Sequence, residues 1–362
     1  MRTEFLTFGA PNIQDQEILE VVDTLKSGWI GTGPKVRRFE QDFAHYQGVP
    51  EAVALSSGSA GLHLACLSLN LKPGDEVITV AHTFAATVSA IVHSGATPIL
   101  VDVTNDFNID VAAAERAVTK RTRAIIPVHL NGRLCDMDPV LALAKRHGLA
   151  VIEDACQALG ATYRGRMAGS FGTGCFSFYP FKSLGGFGDG GALTTNDPEV
   201  ARAATLLRYN GEDRETGEFH YHGYTALLDN VQAAVLDVKL RHFPRWVEHR
   251  RAMAERYRER LAGIPQIHLP HFEGAAFRDG YQNYVIRAAR RDDLRTHLTG
   301  KGIETLVSWP KPLWAHAKLG LGEPDLPVSK RICSEVLSLP MSAETTPEHV
   351  DLTADAIRRF YA

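Results

Sequence analysis

Between residues 51 and 195 the chain repeats one pattern that leaves few folds open: short β-rich runs at 52–55, 76–80, 98–101, 124–128 and 149–153 alternate with amphipathic segments. Strand, helix, strand at this rhythm gives crossover connections, and crossovers of that length bring neighbouring strands side by side in parallel. The expectation is therefore an α/β chain with a mostly parallel sheet covered by helices on both faces. After residue 197 the pattern turns helical, and residues 228–261 have the apolar spacing of one long or kinked helix that bridges two domains. Beyond Pro265 a small α+β unit is expected: a strand near 284–287, a helix at 291–298, a strand near 303–307 and a last helix after Thr346. The domains are read as 1–245 and 246–362. An N-terminal amphipathic helix through Ile13, Ile18, Val22 and Leu25 is expected to pack on the second domain or on a partner subunit.

Composition narrows the chemistry. With 362 residues, 44% of them hydrophobic, there is enough apolar material for a large core and a smaller one. The net charge of -3 is spread without a long basic run, which leaves no electrostatic footprint for nucleic acid or an anionic membrane. Five scattered cysteines, Cys66, Cys135, Cys156, Cys175 and Cys333, form no C-x-x-C pair. They point to neither a disulfide framework nor a metal cluster, and a reducing cytoplasm fits them. Residues 1–15 lack an apolar run of signal-peptide length, and the most apolar stretch, 85–103, is broken by His93, Ser94, Gly95 and Pro98. Export and membrane spanning are not expected.

The most informative segment is 174–195, where Lys182 stands between an aromatic strand and a glycine-rich loop. An amine is costly to desolvate, and desolvation moves it toward the nucleophilic form that Schiff-base formation needs. A surface lysine is the ordinary alternative, and the company of Lys182 weighs against it. Asp154 follows a buried strand at its carboxyl end, where ligands of open α/β sheets collect, and a carboxylate there suits a protonated pyridine nitrogen. The alternative for Asp154 is a cap on the next helix. Gln157 lies three residues on, within reach of a phenolic oxygen. In the run 53–65 a strand leads into Gly58, Ser59 and Ala60, small residues whose backbone N–H groups open a helix and suit a phosphate. Ser177 adds a hydroxyl, and Phe84 offers a ring to stack on a cofactor, although packing in the core is the commoner fate of a single phenylalanine. The glycines 185, 186, 188, 190 and 191 are not a dinucleotide fingerprint, because they lead into a strand-like Ala-Leu-Thr-Thr rather than opening a helix after the first strand.

Taken in order, these segments resemble the DegT/StrS-type sugar aminotransferases of the fold-type I, aspartate aminotransferase-like group. The resemblance runs through Ser27-Gly-Trp-Ile-Gly-Thr-Gly-Pro-Lys-Val36, Phe39-Glu40, Thr83-Phe-Ala-Ala-Thr87, Pro127-Val-His-Leu130, Glu153-Asp-Ala155, Phe176-Ser-Phe178, Lys182, Gln232-Ala-Ala234 and Leu337-Ser-Leu-Pro-Met341. It implies a large domain with a mostly parallel seven-stranded sheet, a small C-terminal α+β domain, and pyridoxal 5'-phosphate cycling through pyridoxamine 5'-phosphate. It implies that Lys182 holds the cofactor as a Schiff base and transfers protons, that Asp154 pairs with the pyridine nitrogen, that Gln157 contacts the phenolic oxygen, that Phe84 stacks on the ring, and that Ser59, Ala60 and Ser177 hold the phosphate. A homodimer with shared active sites is implied as well, with glutamate or glutamine as donor and a ketosugar, nucleotide-linked, as acceptor.

Two positions depart from the family pattern. Relatives read Gly-Tyr-Asn-x-Arg ahead of the Gln-Ala-Ala helix, whereas this chain reads Gly223-Tyr-Thr-Ala-Leu227. Thr225 keeps a hydroxyl for the partner's phosphate; Leu227 replaces a charged donor. At Ser308-Trp-Pro310 many relatives carry His-Tyr-Pro. Tyr179, His129, Trp29 and Trp309 are candidates for the substrate cleft. Sugar dehydration, a cyclitol ketone as acceptor, and a non-catalytic regulator with the same fold are the competing readings, and the lysine at 182 counts against dehydration.

Overall fold

The computed structural model describes residues 5–270 and 274–362. Seven strands, β1 (Glu51–Leu55), β2 (Glu76–Val80), β3 (Thr97–Val101), β4 (Thr122–Ile126), β5 (Ala150–Asp154), β6 (Thr173–Ser177) and β7 (Gly191–Thr195), form one sheet in the order β1-β7-β6-β5-β4-β2-β3. β7 runs antiparallel to β1 and β6, and every other pair is parallel. The exception has a local cause: the loop between β6 and β7 contains no crossover helix, so the chain turns back on itself.

Helices α1 (Asp15–Ser27), α2 (Pro34–Gln47), α3 (Gly58–Ser68), α4 (Ala85–His93), α5 (Val111–Ala117), α6 (Met137–His147), α7 (Pro198–Leu207) and α8 (Asn230–Leu261) complete this unit. Alternate residues of each strand point to opposite faces, so one sheet serves two cores. Phe176 packs with Phe39, Phe43 and Phe243 of α2 and α8, whereas its neighbour Cys175 packs with Leu62, Ile91 and Leu207 of α3, α4 and α7. The parallel strands β4, β5 and β6 share an orientation, so their carboxyl ends open on a single edge of the sheet.

A third core gathers Met253, Tyr257 and Leu261 from the far end of α8 with Tyr284, Leu298, Leu337 and Ile357. Around it lie β8 (Ile267–His268), β9 (Tyr284–Ala288) and β10 (Val336–Leu339) in one antiparallel sheet, with α9 (Arg291–Gly300), α10 (Pro327–Glu335) and α11 (Pro347–Tyr361). Leu6 belongs to this core too, its N–H donating to the Gly302 carbonyl at 2.8 Å. The strand expected near 303–307 does not form. Ile303 makes a single bridge to Leu6 and Leu306 a single bridge to Ser338, so the segment changes neighbour midway and no ladder can grow.

Of the two expectations for α1, its apolar stripe does not pack on the second domain of its own chain. It lies against α8 with Glu17 and Thr24 buried, while Ile13, Ile18, Val22 and Leu25 of the apolar stripe are exposed. Among the described residues no helix is long and apolar enough to cross a membrane.

Candidate active site

The site grows from the end of β5, where successive side chains must point to opposite faces. Glu153 points down into the protein and is fully buried. Its carboxylate accepts the backbone N–H groups of Gly169, Phe171 and Gly172 at 2.9, 2.7 and 2.8 Å, and His129 Nε2 at 2.9 Å. His129 Nδ1 accepts the Cys135 N–H at 3.1 Å, which assigns the ring proton to Nε2 and makes it the donor to Glu153. His129 is wholly enclosed and does not line a substrate cleft. Its place in the sequence next to a strand end was compatible with either role; the enclosing contacts decide.

Asp154 points the other way. Its Oδ2 accepts Thr87 Oγ1 at 2.7 Å, Thr87 in turn shares a 2.9 Å hydrogen bond with Thr83, and Oδ1 accepts the Cys156 N–H at 3.2 Å. Thr87 sits one turn into α4, which no local pattern would mark as a partner of Asp154.

The start of α3 closes on the same edge. A Cβ added to Gly58 would lie 2.6 Å from Cys156 Sγ and 2.9 Å from Ser177 Cβ, so the helix start, the segment after β5 and the end of β6 are in direct contact, and glycine is required by the space. Ser57 caps α3 by accepting the Ala60 N–H at 3.1 Å. The donors left at the helix start are therefore Gly58 and Ser59, and Ala60 contributes its small size rather than its N–H. Ser59, Ala60 and Phe84 line one open cleft, and the Phe84 ring is 60% exposed, so it is not a core aromatic.

Lys182 is carried on the loop between β6 and β7. Its N–H donates to the Tyr179 carbonyl at 2.8 Å in a tight turn, and the Gly186 N–H returns to the Phe178 carbonyl at 2.8 Å. Burial pushes the Lys182 ammonium below its ordinary range, against the opposing pull of Cys156 and the Asp154 carboxylate. The loop leaves the end of β6, the strand beside Asp154, so the lysine and the aspartate stand at the same edge of the sheet. Gln157 accepts the Asn131 N–H at 2.9 Å through Oε1, which leaves its amide NH2 as a donor.

Of the other expected residues, Tyr179 stays beside Lys182 through its carbonyl and the rest fall outside this cluster. Thr225 is exposed, its hydroxyl donates to Asn210 Oδ1 at 3.3 Å, and nothing in its own subunit brings it to Lys182. Leu227 pairs with Leu55 and lines a separate cleft with Trp29, Arg37 and Arg214. Tyr179 stands exposed and stacked on Phe181, Trp29 is exposed, and Trp309 packs edge-on against His82 with a left-handed backbone at φ 53.

These residues fit pyridoxal phosphate. Gly58, Ser59 and Ser177 would hold a phosphate where Gly58 has no room for a side chain, Asp154 would face a cationic ring nitrogen, Gln157 would donate to a ring oxygen, and Lys182 would carry the covalent link. Fold and site together define a fold-type I, pyridoxal-phosphate-dependent aminotransferase. The chain belongs to the DegT/DnrJ/EryC1/StrS aminotransferase family, whose model matches residues 11–358.

Among its relatives, dTDP-3-amino-3,4,6-trideoxy-alpha-D-glucose transaminase of Streptomyces venezuelae is 41% identical over 351 residues, covering 96% of this chain and 91% of the relative. A Geobacillus stearothermophilus protein described as a pleiotropic regulatory protein is 41% identical over 354 residues, covering 95% and 94%. The crystal structure of S. venezuelae DesV in complex with a ketimine intermediate superposes with a TM-score of 0.95 at 38% identity, covering 99% of each chain.

Proposed function

We propose that this protein moves an amino group from glutamate or glutamine to the carbonyl of a nucleotide-linked ketosugar, in the making of amino sugars. The observation that carries the reading is that Asp154, the Gly58–Ser177 contact and the loop that brings Lys182 from the end of β6 stand at one sheet edge, which puts a carboxylate, a phosphate cradle and a buried amine together. Pyridoxal phosphate, when bound, supplies the electron sink for the negative charge that develops on the donor's α-carbon. Lys182 would hold the cofactor through its amine and, once free, would move the proton taken from the donor's α-carbon. Asp154, held by Thr87 and by the Cys156 N–H, would keep the ring nitrogen protonated. Phe84 would stack on the ring and Gln157 would donate to its oxygen.

The acceptor assignment draws on the Streptomyces venezuelae relative, whose name gives it a dTDP-linked amino sugar. The working unit is read as a homodimer in the cytoplasm. The outward apolar stripe of α1 and the exposed Trp29, Ile30, Tyr179 and Phe181 are apolar surface of the kind that a second copy would cover, and the exposed Thr225 would then offer its hydroxyl to the partner's phosphate. The division between the two units is placed near 245/246, inside α8, ahead of the residues from Met253 onward that join the smaller core.

The test is the near-ultraviolet and visible spectrum of the protein with pyridoxal phosphate, recorded before and after adding glutamate or glutamine. A band that moves to the pyridoxamine form, and returns when a dTDP- or UDP-linked ketosugar is added, supports the reading. No protein-linked band with added pyridoxal phosphate overturns it.

A further inference from the structure

The loop that carries Lys182 is tied on both flanks by one side chain from the smaller unit. Gln282, 8% exposed and just ahead of β9, accepts the Ser183 N–H through Oε1 at 2.7 Å and donates through Nε2 to the Phe181 carbonyl at 3.0 Å. The two halves of a primary amide are thus engaged with the peptide groups on either side of Lys182. An ionised carboxylate offers only acceptors, and an apolar side chain offers neither group.

Gln282 is itself fixed. Arg250, buried in α8, donates from Nη1 to the carbonyls of Tyr281 at 3.0 Å and of Gln282 at 3.4 Å. The turn after β4 closes on the same strip: the Gly280 N–H donates to the Gly132 carbonyl at 2.7 Å and the Asn283 N–H to the Asn131 carbonyl at 3.4 Å. Gly132 has φ +99, and a Cβ there would lie 2.4 Å from the Tyr281 nitrogen, so the approach admits only glycine. Asn131 passes its own N–H to Gln157 Oε1. Residues 281–283 therefore reach Lys182 through Gln282 and Gln157 through Asn131.

The far half of the Lys182 loop is held from α8. Gln232 Oε1 accepts the Phe187 N–H at 2.9 Å and Lys239 Nζ donates to the Gly185 carbonyl at 2.8 Å. Those bonds set residues 185–187. Among the described residues the side chain that sets 181 and 183 is that of Gln282.

We propose that Gln282 is a positioning residue that fixes the backbone on both sides of Lys182 and so aims its amine, which makes Lys182's reactivity depend on how the smaller unit sits. The inference rests on the role of Lys182 proposed above. Gln282→Leu removes both bonds; Gln282→Glu keeps an acceptor for Ser183, loses the donor to the Phe181 carbonyl and places a carboxylate against the peptide groups that flank the lysine.

Two measurements on the full chain test it. In the cofactor-free protein, amide hydrogen exchange at Ser183 is expected to rise roughly tenfold in Gln282→Leu and to stay near wild type in Gln282→Glu, with β5 and β6 unchanged in both. With pyridoxal phosphate added, trapping of the Lys182 link by borohydride, read by peptide mass, is expected to slow several-fold in Gln282→Leu. In Gln282→Glu the pH midpoint of the visible band is expected to rise, because the new carboxylate favours the charged form. Unchanged exchange, trapping and midpoint overturn the proposal. If Gln282→Leu does not fold, trapping in Gln282→Glu decides, since that variant loses the donor to the Phe181 carbonyl: slower trapping supports the positioning role and wild-type trapping removes it. A wild type that forms no link at Lys182 overturns the proposed function instead, and the Ser183 exchange still judges the tether.

Discussion

Glu153 and Asp154 are adjacent carboxylates at the end of one strand, and they do opposite things because the strand points them to opposite faces. Below the sheet edge, Glu153 is saturated by three backbone N–H groups and His129, with no solvent and no free lone pair aimed at a ligand. Above it, Asp154 receives Thr87 and the Cys156 N–H and shares its surroundings with Lys182. The lower region is a closed polar network that fixes where the strand ends. The upper region is a set of groups held in place but not satisfied by one another. A burial measure alone would not separate them; the count of donors does.

The strongest way to break this contrast is at its upper pole. Lys182→Ala is expected to lower turnover by about 10^4-fold while leaving the thermal transition within a few degrees of wild type. An active variant would sink the assignment of Lys182. Next comes a paired comparison of the two carboxylates. Glu153→Ala leaves three buried N–H groups and His129 without an acceptor and is expected to cost about 4 kcal/mol of unfolding free energy in a denaturant titration. Asp154→Ala is expected to cost less than half as much stability and far more activity. If the two variants lose stability equally, the division into a structural and a functional layer is wrong.

Acid provides a further test. His82 packs against Trp309 and Cys333, and burial pushes it from 6.5 down to about 4. The unfolded chain therefore takes up a proton on His82 before the folded one does. Stability present above 6.5 is lost as pH falls through the window from 6.5 to about 4. The loss assigned to this group is about 3 kcal/mol, and it should be missing from the pH profile of His82→Asn. The smallest effect is expected at Thr87→Val, which removes the hydroxyl from Asp154 without changing side-chain shape. Turnover should fall about tenfold, from a less well-fixed carboxylate, with little change in melting temperature. A variant with wild-type turnover would show that the Cys156 N–H alone orients Asp154.

The fold was readable where the physics is local. The expected runs at 52–55, 76–80 and 98–101 coincide with β1, β2 and β3 to within a residue; in β2, which lies inside the sheet and is buried along its whole length, burial on both faces demands a largely apolar segment. The long helix was equally plain. The segment 303–307 was not, since apolar residues record burial and not the partner that would complete a ladder, and here the partner changes midway. α1 shows the same gap: its stripe was visible, but its direction depended on Glu17 and Thr24 finding α8.

At the site, the sequence alone singled out Lys182, Asp154, Gly58, Ser59 and Ser177, because a lysine before a glycine loop, an acid at a strand end and small residues at a helix start each have a meaning within a few positions of chain. It also put forward His129 and Thr225, which tertiary placement removes from the cluster in a single subunit. Only the folded chain could pair Thr87 with Asp154, 67 residues away, or Gln282 with the peptide groups of Ser183 and Phe181, 99 and 101 residues away. Periodicity and propensity act over a turn or a strand, whereas a hydrogen bond between distant segments is decided by packing, and packing is a property of the whole chain.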